Sequence, residues 1–278
     1  MEPLCKDSKN FSVSEVETMK NKFTLEGKKA LVTGAAGGIG RSTARAFADM
    51  GADVALMDLP SAKGKLEEIC AGIQERYGVK AIALAGDVAD EYSVLDFVGE
   101  AARELGTLDV LHNNVGIFNP ADNADIDIDE WKRLLDINLT GMLLVGRTVA
   151  NVMIKDGHGG SIINMASMSG HIYNKTGDDN YSFSYPTAKA GVLHLTRGMA
   201  SHYIKYGIRV NSVSPGVTLS GTHDNLPISV MENAALQVPI RRFGRLSEIA
   251  GVIAFLATDI AGFMVGSDVL IDGGQCIN

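Results

Sequence analysis

Tyr185 and Lys189 stand four residues apart in the segment YSFSYPTAKAG. With Tyr185 in the first turn of a helix, that spacing stacks phenol and ammonium on one face. A free tyrosine ionises near pH ~10 and is a reluctant base at neutral pH, whereas a cation held against it favours the phenolate. The pair is therefore a proton-transfer device in outline. Y-x-x-x-K also occurs on solvated helices without function, so its company matters. Upstream stand a glycine-rich turn at 33–40, Asp58 after the next apolar run, Asn138 and Ser167.

The elements that must position these residues are legible as apolar runs. Lys29–Val32, Val54–Met57, Ala81–Ala85, Val110–Leu111, Ile162–Met165, Val210–Val213 and Val269–Ile271 are each separated by a helix-length segment, the first being Ile39–Met50. Short, nearly all-apolar runs fit parallel strands buried on both faces. Regular alternation with helices predicts right-handed crossovers and a doubly wound α/β sheet in a single domain. The boundaries read as an N-terminal extension, 1–25, followed by the domain, 26–278. Phe11–Phe23 fits either a short amphipathic helix or a tail. Val217–Arg245, with Leu219, His223, Leu226, Met231 and Leu236, follows neither strand nor helix rules and is expected to cover a substrate.

Thr33-Gly34-Ala35-Ala36-Gly37-Gly38-Ile39-Gly40 joins the first strand to the first helix. Glycines there let the backbone turn sharply and approach a pyrophosphate, whose charge sits on the helix N-terminus. Gly34, Gly38 and Gly40 give G-x-x-x-G-x-G, which differs from the G-x-G-x-x-G fingerprint, but strand, turn, helix and a terminal Asp58 on the second strand point to a dinucleotide. A carboxylate at 58 accepts bonds from adenosine ribose hydroxyls and repels a 2′-phosphate, which favours NAD over NADP. Arg41 could offset part of that repulsion, although an arginine early in such a helix is usually solvated. Asp87 and Val88, after the third strand, are expected to bracket adenine.

With these motifs in order, the chain resembles the short-chain dehydrogenase/reductase family, in its compact one-domain form, from about Leu25 to Gly274. The resemblance rests on TGAAGGIG at 33–40, Asp87, NNVG at 113–116, Asn138, Ser167, YPTAK at 185–189, SPG at 214–216 and DGG at 272–274. It implies a Rossmann-type sheet of seven strands, a homodimer or homotetramer, and Asn138, Ser167, Tyr185 and Lys189 as the catalytic set. Tyr185 would be the general base, or the acid in reduction. Lys189 would lower its pKa and hold the nicotinamide ribose. Ser167 would donate to the substrate oxygen as charge develops, and Asn138 would anchor a proton-relaying water. Taken singly, Ser167 also reads as a hydroxyl capping a loop and Asn138 as a residue bending a helix. The expected cofactor contacts are Gly34, Gly38, Ile39, Gly40, Asp58, Asp87, Val88, Asn114, Gly116, Tyr185, Lys189, Pro215, Gly216, Thr218 and Ser220. Two departures are visible: Val115 replaces the commoner alanine, and Ser220 the commoner threonine.

Ser167 and Tyr185 are 18 positions apart, longer than the family's usual gap, and the surplus falls on Asn174–Asn180. SMSGHI at 167–172 with Asn174 resembles the loop of members that interconvert polyols and ketoses. His171, Asn174, Asp178 and Asp179 offer donors and acceptors suited to a polyhydroxylated molecule; a solvated loop without substrate contact is the plain alternative. The leading reading is an NAD-dependent dehydrogenase of a secondary alcohol, a polyol or sugar. A hydrophobic alcohol (steroid or acyl compound) and a non-catalytic NAD-binding sensor stay open.

Bulk properties set the frame. The 278 residues, 46% apolar and 21% charged, match an ordinary globular chain. A net charge of −8 argues against nucleic acid or an anionic membrane as partner. Cys5, Cys70 and Cys276 are odd in number and widely spaced, without metal-ligand patterns, as in a reduced cytoplasmic protein. No stretch reads as a bilayer span, and no secretory signal is evident.

Overall fold

The structure, a computed structural model, describes residues 22–173, 182–219 and 228–277. Seven parallel strands form one sheet in the order β3-β2-β1-β4-β5-β6-β7. They are β1 (Lys29–Thr33), β2 (Asp53–Asp58), β3 (Ala81–Ala85), β4 (Val110–Asn113), β5 (Gly160–Met165), β6 (Ile208–Pro215) and β7 (Asp268–Ile271). The helices between them are α1 (Gly38–Asp49), α2 (Lys63–Tyr77), α3 (Glu91–Leu105), α4 (Ile128–Leu135), α5 (Gly141–Asp156), α6 (Ser184–Tyr203), α7 (Ile228–Leu236) and α8 (Leu246–Ala257).

Both faces of the sheet are covered, as all-parallel strands require. One core gathers Phe47, Leu66, Ile73 and Ile253 against Val32, Leu56 and Ile163. The other packs Phe97, Val149, Met153 and Met199 on Leu31, Leu111 and Ile162. Chain order reverses between β1 and β4, paired through Val32 and His112. Outward from the carboxyl ends of these two strands a crevice opens, the place where open α/β sheets bind ligands.

Three expectations change. Leu25, assigned to the extension, is fully buried and donates its N–H to the Met50 carbonyl at 2.9 Å, so the domain includes it. The segment after Val217 is not wholly irregular, because it contains α7. Helix α4, a π-helical turn at Asp136–Thr140 and α5 run on as one helix, Ile128–Asp156, long and apolar enough by length and composition to cross a membrane. Its inward face nevertheless packs in the core through Leu134, Met142, Val145, Val149 and Met153, as a core helix of a globular domain does.

Candidate active site

The glycine turn is built by close packing. Gly34 has φ +65°, and a Cβ there would sit 2.9 Å from Asn114 Nδ2. A Cβ on Gly40 would stand 2.2 Å from the Gly34 carbonyl oxygen, so only glycine lets α1 start this close to the turn. Asn114 holds the turn to β4: its N–H reaches Thr33 Oγ1 at 2.9 Å and its amide donates to the Thr33 carbonyl at 3.0 Å. Helix α1 has no side-chain cap and no acidic residue in its first turn. Its free N–H groups and positive dipole end therefore suit an anion.

Asp58 closes the far end. Its Oδ2 accepts from Ala36 N at 2.9 Å and its Oδ1 from Leu59 N at 2.8 Å. Among the described residues it takes part in no ion pair, and both its oxygens are held by backbone N–H groups. A cleft of about 600 Å³ runs from this carboxylate past Gly38, Asp87, Val88 and Gly116 to Tyr185 and Lys189.

At the other end, α6 places Tyr185 in its first turn and Lys189 one turn on. The short 3₁₀ turn Met168–Gly170, which follows Ser167, lies against α6 so closely that a Cβ on Gly170 would fall 2.9 Å from the Lys189 carbonyl carbon. That contact brings Ser167 Oγ into a hydrogen bond with the Tyr185 hydroxyl. The same oxygen accepts from Ser169 N at 3.1 Å, so Ser167 both caps the turn and faces the phenol.

Burial governs the two ionisations. It raises the pKa of Tyr185, which the Ser167 hydrogen bond partly offsets. It lowers that of Lys189 to about 7. Burial therefore outweighs any depression of the phenol by the ammonium in this arrangement. Lys189 Nζ lies 5.6 Å from the Tyr185 ring centroid and donates instead to the Met165 carbonyl at 2.7 Å.

Asn138 lies in the π-helical turn, fully buried. Its amide donates to the Ile117 and Leu134 carbonyls, each at 2.9 Å, and its Oδ1 accepts from Ile117 N at 2.9 Å. One amide hydrogen and the amide oxygen thus brace the backbone at Ile117, while the other hydrogen is spent on the helix's own Leu134 carbonyl. A Cβ on Gly116 would come 3.0 Å from Asn138 Oδ1 and 3.1 Å from Lys189 Nζ, so the glycine keeps the cleft floor open. The donor set fits a dinucleotide: uncapped helix N–H groups for phosphates, a carboxylate for ribose hydroxyls, and a glycine-lined floor.

A family profile described as enoyl-(acyl carrier protein) reductase matches residues 34–275, and a crystal structure of a short-chain type dehydrogenase/reductase from Mycobacterium marinum superposes with a TM-score of 0.86. The chain belongs to the short-chain dehydrogenase/reductase family. That crystal structure is 36% identical and covers 93% of this chain and 99% of its own. A cis-4-hydroxycyclohexanecarboxylate dehydrogenase from Sinomonas cyclohexanicum is 42% identical over 88% of this chain and 95% of its own length. An L-rhamnose 1-dehydrogenase (NAD(P)(+)) from Sphingomonas sp. (strain SKA58) is 38% identical over 91% and 98%.

Not every expected contact of this short-chain dehydrogenase lies on the cleft. Gly34, Gly38, Ile39, Asp58, Asp87, Val88, Asn114, Gly116, Tyr185 and Lys189 line it, whereas Gly40 packs beneath the turn. Pro215, Gly216 and Thr218 are drawn to the C-terminal segment and to Gly244. Gly216 N donates to the Ile271 carbonyl at 2.9 Å, and Thr218 forms an isolated bridge with Gly244. Ser220, His223, Leu226 and the loop Asn174–Asn180, with Asp178 and Asp179, lie outside the described residues. His171, one of the donors and acceptors considered for the substrate, bonds within the fold: its Nε2 donates to Asp268 Oδ2 at 2.7 Å. Arg133 and Ile137 line the cleft unforeseen. Arg133 comes from α4 and Ile137 from the π-helical turn that follows it.

Proposed function

We propose that the protein oxidises a secondary alcohol to a ketone with NAD, reversibly. The observation that carries this reading is the Ser167–Tyr185 hydroxyl pair, with Lys189 one turn away, at the end of a cleft that fits a dinucleotide. When bound, the nicotinamide supplies the acceptor for the hydride. Tyr185 takes the hydroxyl proton, and Ser167 donates to the oxygen on which charge builds. As the phenol loses its proton, the ammonium form of Lys189 is favoured again, because the two ionisations are coupled across a water-poor site. Asn138 keeps the Gly116–Ile117 backbone clear of Lys189. Asp58 supports NAD over NADP by like-charge repulsion of a 2′-phosphate.

For the substrate, a sugar or polyol is the first reading, supported by the rhamnose-oxidising relative. A less polar cyclic alcohol is the second. It is favoured by the exposed aromatic rim of Phe118, Tyr173 and Phe183, of which Phe118 meets Tyr185 edge-on at 5.8 Å between ring centroids. Initial rates with NAD and with NADP on rhamnose, mannitol, sorbitol and cyclohexanol distinguish these. Cofactor binding without reduction on any alcohol, or turnover surviving in Tyr185→Phe, would defeat the proposal.

A further inference from the structure

Helix α6 presents Tyr185 but lacks its own cap: Phe183 holds the N-cap position without a side-chain bond, and the first turn carries no acid. The missing acceptor arrives from 60 residues upstream. Asp122 is 1% exposed, and its Oδ2 accepts from Ser184 Oγ at 2.6 Å, Ser182 Oγ at 2.5 Å, Ser184 N at 3.0 Å and Tyr185 N at 3.2 Å. Its Oδ1 adds Phe183 N at 3.3 Å and Ser184 N at 3.2 Å. Burial pushes the carboxyl pKa up, but these hydrogen bonds outweigh it and leave the pKa below its ordinary value, so the group is ionised at neutral pH.

The segment that carries Asp122 begins at the cleft. Asn138 clamps it at Ile117, and Phe118 leans edge-on against the Tyr185 ring. Asn119 donates to Glu130 Oε1 at 2.7 Å, the carboxylate that also holds Arg133 on the cleft wall. The segment is therefore a strap fixed at the cleft floor and at the tip of α6.

We propose that Asp122 is a positioning residue for proton transfer: as the cap of α6 supplied from another part of the chain, it fixes Tyr185 against the cleft and sets the field at its phenol. This rests on Tyr185 being the base. Among the described residues, the other charged groups are Lys189 on the same helix and, lining the same cleft, Arg133 on α4, Asp58 and Asp87. An anion at the helix tip opposes the dipole that would otherwise favour a phenolate.

The test is an ultraviolet tyrosinate titration, taken as the difference between each protein and its Tyr185→Phe counterpart, which isolates Tyr185 and needs no substrate. In Asp122→Asn, the ionisation should move to lower pH by about half a unit, with NAD affinity unchanged by fluorescence titration. An unmoved ionisation with merely lowered stability makes Asp122 a loop anchor and overturns the proposal. If that variant does not fold, Ser184→Ala keeps the charge and removes one donor. With the fastest alcohol among cyclohexanol, mannitol and rhamnose, its kcat should fall about tenfold through misplacement of the base at constant KM for NAD. An unchanged kcat overturns the proposal equally. Turnover surviving in Tyr185→Phe would remove the catalytic reading while leaving the titration to decide the electrostatic one.

Discussion

Lys189 Nζ donates to the Met165 carbonyl at 2.7 Å, and its pKa is pulled down to about 7 by burial alone. The chain thus holds a cation at a place that disfavours its charge. Such a group costs stability and is retained for another reason.

That cost can be measured. The unfolded ammonium titrates at its ordinary 10.5, the folded one at about 7. Between those values the unfolded chain binds a proton that the folded chain does not, so this residue's contribution to stability rises with pH across the window. Below it the penalty is complete. Lys189→Met should therefore stabilise the fold by about 1–4 kcal/mol at pH 6, less whatever the undonated Met165 carbonyl costs. It should also lose turnover and weaken NAD binding. Urea unfolding at pH 6 and pH 9.5 checks the sign; a gain that does not shrink at the higher pH would refute it.

His112 provides a second pH-dependent term. Both its ring nitrogens are buried without a hydrogen-bond partner among the described residues, and burial depresses its pKa from 6.5 to about 3. As pH falls through that interval the unfolded state takes up the proton first, and stability drops by up to about 1.4 kcal/mol per unit from this group. His112→Leu should flatten the loss. Comparing the two proteins by denaturant unfolding at pH 7.5 and 5 cancels the carboxylates common to both. Parallel losses would mean that His112 finds a partner, or a proton, inside the fold.

The same interior explains how far the sequence could be read. Apolar runs located all seven strands but clipped the carboxyl ends of several. Asn113, Asn164 and Asn211 lie inside strands, buried, which no apolar-run rule anticipates. They are tolerated because they bond one another and the backbone: Asn113 Nδ2 to Asn164 Oδ1 at 3.2 Å, Asn164 Nδ2 to Thr196 Oγ1 at 3.0 Å, and Asn211 Nδ2 to the Met264 carbonyl at 2.8 Å. At the site, local motifs carried Gly34, Asp58, Tyr185 and Lys189 because each sits at a fixed offset from a strand end or helix start. Asp122 and Arg133 had no such signature. An acid in a loop reads as solvated until tertiary structure sets it on a helix tip, and an arginine paired with Glu130 three residues earlier on α4 reads as an exposed helix-surface ion pair.

Asp58 should govern cofactor choice. Both its oxygens are anchored by backbone N–H groups, so its charge is fixed where an adenosine ribose would lie. Asp58→Ala should raise the NADP-to-NAD ratio of specificity constants by roughly tenfold or more, because juxtaposed like charges cost several kcal/mol. Turnover with NAD should weaken without vanishing, since no proton-transfer group is removed. A wild-type protein preferring NADP would show that the repulsion is answered elsewhere in the cleft.

His171 separates a substrate contact from a structural clasp. Its Nε2 lies 2.7 Å from Asp268 Oδ2 and 3.3 Å from Ser214 Oγ, and Asp268 Oδ1 accepts from Ser212 at 2.6 Å and Ser214 at 2.9 Å. This ties the turn after Ser167 to the edge of the sheet formed by β6 and β7. A residue occupied in this way acts on catalysis by holding Ser167 in place, so its loss is blind to substrate polarity. His171→Ala should lower the unfolding temperature and reduce kcat for mannitol and cyclohexanol by the same factor, with KM for each nearly constant. A hydroxyl-matched contact would behave otherwise, because removing a polar partner penalises the polyol selectively. Selective loss of mannitol activity at unchanged stability would return His171 to the substrate.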